Sequence, residues 1–301
     1  MKSPKGNIIY AVLCRILFII FLLGILQLVS AQRLIIIYTS NVNCNLEACD
    51  CETTRLGGMV YLAQHLDSLR NNHPELILVD SGDFFNSYSL PQVNTIMWDF
   101  IYRLQYDAIG LGDQEFVEGT KFLNSLLSTL TLPFVGSNLS IKNRSLSEVN
   151  EFVVVNRNIL KIGILGVILP SSFSFIRPDQ LFFDPPESQV AKTLDKLKTV
   201  TQFNILLVHG SFQTGIYFAE KFPEIQVVIA GHSQEKESLQ KGNQFITQAG
   251  YDGQYLGFLE VKISEEKIDY TNRFLPVHSK LGENPDFRKK IDEYYFKMDK
   301  E

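Results

Sequence analysis

Five short polar turns, each placed directly behind an apolar run, constrain this chain more than any other feature. They are YTSNVNC (38–44), VDSGDFF (79–85), GLGDQEF (110–116), LVHGS (207–211) and IAGHSQE (229–235). A short apolar run stopped by Gly, Asp, Asn or His has the character of a buried strand ending in a turn. Where such strands alternate with helical patterns, the turns gather at one edge of a sheet and bring together side chains from distant parts of the sequence. Asp, His and Asn in those turns are the donor types of a metal or phosphate site.

The spacing of apolar residues predicts strands over 34–38, 76–80, 108–111, 134–136, 152–155, 160–167, 205–208 and 227–230, with helices over 58–70, 92–105, 118–127 and 188–199. The first half is therefore β-α-β-α-β-α-β, the order of a largely parallel sheet with covering helices. After Gly231 the pattern changes to strands over 244–248, 255–263 and 267–276, followed by a terminal helix over 284–301 that opens near Pro285. Residues 137–151 are polar and are expected to form an exposed loop. Nothing between the halves has linker composition, so residues 32–301 are expected to form one domain.

The first 31 residues stand apart. Lys2, Lys5 and Arg15 precede the apolar run 16–26, and Val29-Ser30-Ala31 places small residues at a cleavage position, the grammar of a secretory signal peptide. The alternative is an uncleaved anchor over residues 8–29, which would be the chain's only membrane contact. Either way the folded part is exported, to the periplasm or the extracellular side. A net charge of −5 offers no basic face for a nucleic acid or an anionic membrane. With Cys14 in the leader, Cys44, Cys49 and Cys51 remain in one loop, an odd number for an oxidising compartment. They can form a Cys44–Cys49 or Cys44–Cys51 staple with one free thiol, or a soft-metal or redox site.

Taken together and in this order, the five turns resemble the calcineurin-like metallophosphoesterases, in particular the 5′-nucleotidase and UDP-sugar hydrolase branch. Catalytic domains of that kind run D-x-H, G-D, G-N-H-E, H-G and G-H-x-H or G-H-x-Q at successive strand ends. The flanking stretches GGMVYLAQHL, YDAIGLGDQEF, PFVGSNL and ITQAGYDGQYLGFLEV are similar as well, so the likeness covers nearly all of 34–261. It implies an α/β fold, a layered α/β/β/α sandwich in a single domain. Length is a departure from that pattern: the expectation here is a domain without the large C-terminal partner that grips the base in two-domain 5′-nucleotidases.

The resemblance carries a dinuclear site, and here half of it is altered. The shared aspartate matches Asp83, and the second metal's further ligands match Asp113, His209 and His232. Two carboxylates and two imidazoles suit one Zn, Mn or Fe ion. The first metal's D-x-H ligands match Asn41 and Asn43, neutral amides, and its last ligand matches Gln234. The catalytic histidine of G-N-H-E matches Gln114, which can hydrogen-bond but cannot transfer a proton. One cation against two carboxylates leaves a net charge of about zero, a weak attraction for a phosphate dianion. Thiolates from Cys44, Cys49 or Cys51 are the nearest substitute ligands for the first position.

The leading expectation is an exported metal-dependent phosphoesterase-like hydrolase, mononuclear or with an altered second site, acting on a small phosphorylated molecule. Asn41, Asn43 and Gln114 would line the place of the phosphate or ester. One alternative is an inert relative that binds an unknown ligand on the same fold; the other is a thiolate-metal or redox protein centred on the cysteine loop. Glu115 is expected to orient its turn, Asn138 to support the fold, and Trp98 to belong to the core.

Overall fold

In the sequence of the central strands, consecutive apolar residues leave on opposite faces, and both faces are covered. A computed structural model of the chain describes residues 15, 32–48, 55–141, 144–146, 148–175, 181–264, 266–298 and 300. The first sheet takes β1 (Gln32–Thr39), β2 (Ile77–Asp80), β3 (Ala108–Gly110), β4 (Phe134–Val135), β14 (Tyr255–Ile263) and β15 (Ile268–Pro276), in the order β15-β14-β1-β2-β3-β4. The second takes β7 (Phe152–Arg157), β8 (Leu160–Ile168), β10 (Phe203–Gly210), β11 (Val227–His232), β12 (Lys236–Lys241) and β13 (Gln244–Ala249), in the order β12-β13-β11-β10-β8-β7. A small third sheet, β6-β5-β9, joins β5 (Leu139–Ile141), β6 (Arg144–Ser145) and β9 (Leu181–Phe183).

Residue alternation shows how the two large sheets stack. From β1, Leu34, Ile36 and Tyr38 enter one apolar cluster with Ile77 and Val79 of β2, Ile162 and Ile164 of β8, and Ile205 and Leu207 of β10. That cluster is the layer between the sheets. Ile35 and Ile37 point the other way, into a second cluster with the helices α1 (Met59–Asn72), α2 (Pro91–Leu104), α3 (Thr120–Leu127) and α6 (Pro285–Met298). On the far face of the second sheet, Leu206 and Val208 pack with Leu194 and Leu197 of α4 (Pro186–Leu197) and Phe218 of α5 (Phe212–Lys221). The layers are α/β/β/α, as the resemblance implies. A one-residue slip in β1 or β10 would exchange these faces, and because both faces are apolar it is the fit of particular side chains in the two layers that holds the register. Each fully buried Ile or Leu here is worth roughly 1.5–3 kcal/mol.

The parallel strands also agree with expectation: β1 pairs with β2, β2 with β3 and β3 with β4, all parallel, while β14 returns antiparallel to β1. At the join between the sheets Tyr38 donates to Asn272 Oδ1 (2.9 Å), and its hydroxyl also meets Thr247 Oγ1 (2.6 Å). Pro91 and Pro186 stand in the first turns of α2 and α4, Ser211 caps α5 by accepting from Thr214 N–H, and Asn284 accepts from the N–H groups of Asp286 and Phe287 at the start of α6.

Five elements depart from the sequence reading, among them the short strand β9. Residues 137–151 are not wholly loop: they contain β5 and β6, strands too short to show a periodicity. Helix α5 lies outside the predicted helices, because Gly215 interrupts its pattern. That glycine serves close packing, since a Cβ there would lie 3.1 Å from Ile246 Cγ2 of β13. Strand β12 is exposed along its whole length and so lacks the apolar alternation that marks a strand. Among the described residues no helix is long and apolar enough to cross a membrane. The leader or anchor read at 1–31 falls almost wholly outside the described residues, as do Cys14, Cys49 and Cys51.

Candidate metal centre

All the parallel strands of both sheets end at the same edge, and the five turns meet there. β2 leads into Asp83, β3 into Asp113, β10 carries His209 near its end, and β11 ends on His232. The sheets touch at this point: Ser81 Oγ donates to Ala230 O (2.9 Å), and a Cβ on Gly231 would lie 2.8 Å from Ser81 O. One ligand atom from each of Asp83, Asp113, His209 and His232 lies within 4.8 Å of all the others. It is a single, incomplete cluster, consistent with one divalent ion.

The individual contacts explain the arrangement. His209 Nε2 is 3.1 Å from Asp113 Oδ1 and 3.4 Å from Asp83 Oδ1, while His232 Nδ1 is 3.2 Å from Asp113 Oδ1. His209 Nδ1 lies 3.0 Å from the carbonyl of Ser81. A carbonyl only accepts, so Nδ1 carries the proton and Nε2 faces the carboxylates. Asp83 and His232 both adopt left-handed backbone, at φ 66 and 77, a cost of order 1–3 kcal/mol each that the surrounding contacts must hold in place.

Electrostatics follow from burial and the neighbours. Desolvation raises the Asp83 carboxyl well above the usual carboxylate range, with His209 opposing and Asp113 and Glu115 adding to it. Desolvation also works against ionised Asp113, but hydrogen bonds from His209 and His232 outweigh it and hold its pKa down. Burial disfavours the His209 imidazolium, yet Asp83 and Asp113 push its pKa up to about 9. The donor set of two carboxylates and two imidazoles, with Nε2 of His209 freed by Ser81, fits a Zn-, Mn- or Fe-type ion. The side chain of His232 is 37% exposed, so this cluster is reached from solvent on the His232 side.

The other sequence candidates have different surroundings. Asn41 is fully buried: its Nδ2 donates to Gly250 O (2.9 Å) and its Oδ1 accepts from His232 N–H (2.6 Å). Asn43 donates through Nδ2 to Asp252 Oδ1 (2.9 Å), and its Oδ1 has no hydrogen-bond partner among the described residues. Gln114 is buried, its backbone N–H donates to Asp83 Oδ1 (3.1 Å), and its Oε1 is likewise without a partner among the described residues. Gln234 is exposed, in a left-handed turn at φ 59.

Cys44 does not join the cluster. It is 4% exposed, lies in the apolar core beneath the first sheet, and donates its backbone N–H to Phe84 O (2.7 Å). Burial pushes its thiol pKa far up, the reverse of what a thiolate ligand requires. Among the described residues Cys44 stands apart from the cluster of Asp83, Asp113, His209 and His232. Cys49 and Cys51 lie outside the described residues.

Two residues that hold the site carried weak signals in the sequence. Asp252 sits in a Tyr-Asp-Gly turn indistinguishable from an ordinary one. Ser81 acts through its backbone carbonyl and hydroxyl, which no motif of side chains reveals. Glu115 does orient its turn: its carboxylate accepts from the N–H groups of Gly112 (2.6 Å), Asp83 (3.1 Å), Phe84 (2.7 Å) and Phe85 (3.2 Å). Asn138 supports the fold, donating to Ile168 O and accepting from Ile168 N–H.

No family model matches the chain. Among curated proteins it is similar to the 5′-nucleotidase of Bos taurus, 25% identical over 307 residues, which are 89% of this chain and 53% of that protein. The chain spans about half the length of the curated relatives it matches. Among solved structures it is similar to a 5′-nucleotidase precursor from Thermus thermophilus, with TM-score 0.78 and 20% identity over 88% of this chain and 58% of that one. It is also similar to the calcineurin-like phosphoesterase YfkN from Bacillus subtilis, with TM-score 0.73 and 18% identity over 89% of this chain and 98% of that one. At these identities the structural likeness establishes the fold.

Proposed function

Given a chain with the calcineurin-like metallophosphoesterase fold of the 5′-nucleotidase-like superfamily and a partial, divergent ligand cluster, we propose an exported phosphoesterase-like hydrolase that works with one divalent cation. Its substrate class is a small phosphorylated molecule. The observation that carries this reading is the convergence of Asp83, Asp113, His209 and His232 within 4.8 Å at the strand ends. The fold and the partial cluster are consistent with a weak or altered metal-dependent hydrolase.

A bound ion would supply Lewis-acid polarisation of a phosphoryl oxygen. The protein's own part begins with His209, which Ser81 holds in the orientation that turns Nε2 inward. Asp83 and Asp113 balance the cation's charge, so a phosphate dianion meets a site of about zero net charge. His232 stands on the solvent side and leaves an approach open. Gln114, where the resemblance expects an imidazole, can hydrogen-bond a leaving oxygen but cannot protonate it. Turnover is therefore expected to be slow, and fastest for substrates whose leaving group needs no proton.

The test is hydrolysis of p-nitrophenyl phosphate and bis-p-nitrophenyl phosphate with Mn, Co and Zn, followed by nucleoside 5′-monophosphates, which the relatives' names suggest. Activity that His232→Ala removes supports the reading; no turnover with any of the three metals ends it. The second reading, a protein that binds a phosphorylated ligand without turning it over, is favoured by one observation, the amide of Gln114 in place of an acid. Retained ligand binding without hydrolysis would select it.

A further inference from the structure

The side of the site formed by the loop after β1 is built from hydrogen bonds. Asn41 Nδ2 donates to Gly250 O (2.9 Å), Asn43 Nδ2 to Asp252 Oδ1 (2.9 Å) and Asn45 Nδ2 to Asp252 O (3.2 Å). In return Asp252 N–H donates to Asn41 O (2.8 Å), and Ala249 N–H to Ser40 Oγ (3.1 Å). Asn41 does one thing more: its Oδ1 accepts the N–H of His232 at 2.6 Å. His232 has left-handed backbone, at φ 77, a conformation that costs a non-glycine residue free energy and needs an external hold. The Asn41 side chain supplies that hold at the backbone of His232, while Asp113 Oδ1 meets Nδ1 of its ring at 3.2 Å.

We infer that Asn41 and Asp252 are positioning residues: they weld the loop after β1 to the loop after β13 through side-chain amides and fix the backbone of the ligand His232. This side of the site is then set by hydrogen bonds and takes no second cation. The donor set agrees with that assignment. Among the described residues of this loop the Asn41 oxygen is spent on His232 N–H, the Asn43 and Asn45 amides are oriented by Asp252, and Glu47 pairs with Arg288, which leaves neutral amide oxygens, a poor set for a divalent ion. The claim about cation number rests on the function proposed above; the weld does not.

Amide hydrogen exchange on the full, metal-free chain tests the weld. The N–H groups of His232 and Asp252 should be protected without any metal, and Asn41→Ala should lose at least about tenfold of that protection at His232, the equivalent of one hydrogen bond. Asp252→Ala should loosen residues 40–45, whereas Asp252→Asn, which keeps an oxygen for Asn43, should retain their protection. That pair carries the test if Asn41→Ala does not fold. Titration with Co2+ should reach one ion per chain, with the visible band shifted and affinity lowered about tenfold in Asn41→Ala. Equal exchange at His232 in wild type and Asn41→Ala would overturn the weld, as would protection that appears only after metal is added. A second Co2+ binding as tightly as the first would overturn the claim on cation number. Intact protection with no Co2+ bound at all would support the weld and sink the proposed metal-dependent activity.

Discussion

His209 and Ser81 are joined by a hydrogen bond of 3.0 Å in which the ring Nδ1–H can only donate and the carbonyl can only accept. Nε2 is thereby committed to Asp83 and Asp113, and without metal it holds a proton, because those carboxylates push the pKa of His209 up to about 9 against the effect of burial. Binding an ion must expel that proton, so metal affinity should climb with pH until about pH 9. Stability of the metal-free protein should move the other way. A folded-state pKa above the unfolded value of about 6.5 contributes stability that is complete below pH 6.5 and is lost as pH rises through about 9. The raised Asp83 carboxyl has the same sign, with its contribution lost from about pH 4 upward. Urea melts of metal-free protein at pH 6.5 and pH 9 should differ by up to about 3 kcal/mol from His209 alone, and His209→Gln should flatten the difference.

Gly112 is placed where no side chain fits. A Cβ there would lie 2.6 Å from Asp83 N and 2.7 Å from His209 Cε1, and closer still to Asp83 Oδ1. Gly112→Ala must displace two of the four candidate ligands, Asp83 and His209, at once. The expected result is a loss of metal affinity of about tenfold or more with a destabilisation of about 1–3 kcal/mol. Chelator competition and thermal melting measure the two effects separately. Unchanged affinity would mean that the ligand cluster is not the metal site.

Glu115 gathers four backbone N–H groups from two turns, including that of the ligand Asp83. Burial raises its pKa while those donors pull it down. In Glu115→Gln one oxygen becomes an NH2 group that faces N–H donors, leaving buried amides unpaired. Each such group costs about 1–3 kcal/mol, so a destabilisation of about 2–4 kcal/mol is expected from denaturant melts. Because Asp83 and Gly112 share this anchor, metal affinity should fall as well.

The strand-end turns were legible in the sequence because apolar alternation and turn chemistry are local. The unbroken apolar run of β1 marks a strand covered on both faces without saying which face meets the second sheet, and the Gly-Asp and His-Gly pairs mark strand ends. Asp83, Asp113, His209 and His232 could be named as candidates through the resemblance that the five turns carry in their order, since a lone Gly-Asp or His-Gly turn is a weak signal. Asn41 was legible as a departure but not in its use: its partners are the carbonyl of Gly250 and the N–H of His232, backbone groups far along the chain that no motif advertises. The surroundings of Cys44 were not legible for the same reason. Its sequence neighbours are polar and cysteine-rich, whereas its spatial neighbours come from the helix layer.

Cys44 sits in the core cluster beneath the first sheet, 4% exposed, and near enough to Tyr294 of α6 that a charge on the sulfur would raise the phenol's pKa. A thiolate there would be a buried, unpaired charge, so the side chain behaves as a small hydrophobe. Cys44→Ala should cost about 1 kcal/mol for the lost sulfur contacts and leave metal content unaltered. Cys44→Ser, which buries a hydroxyl in the same apolar place, should cost more, about 1–3 kcal/mol. Alkylation with iodoacetamide under native conditions, read by peptide mapping, should leave Cys44 unmodified until the chain unfolds. Rapid native alkylation at Cys44, or loss of metal in Cys44→Ala, would return the cysteine loop to the set of candidate ligands.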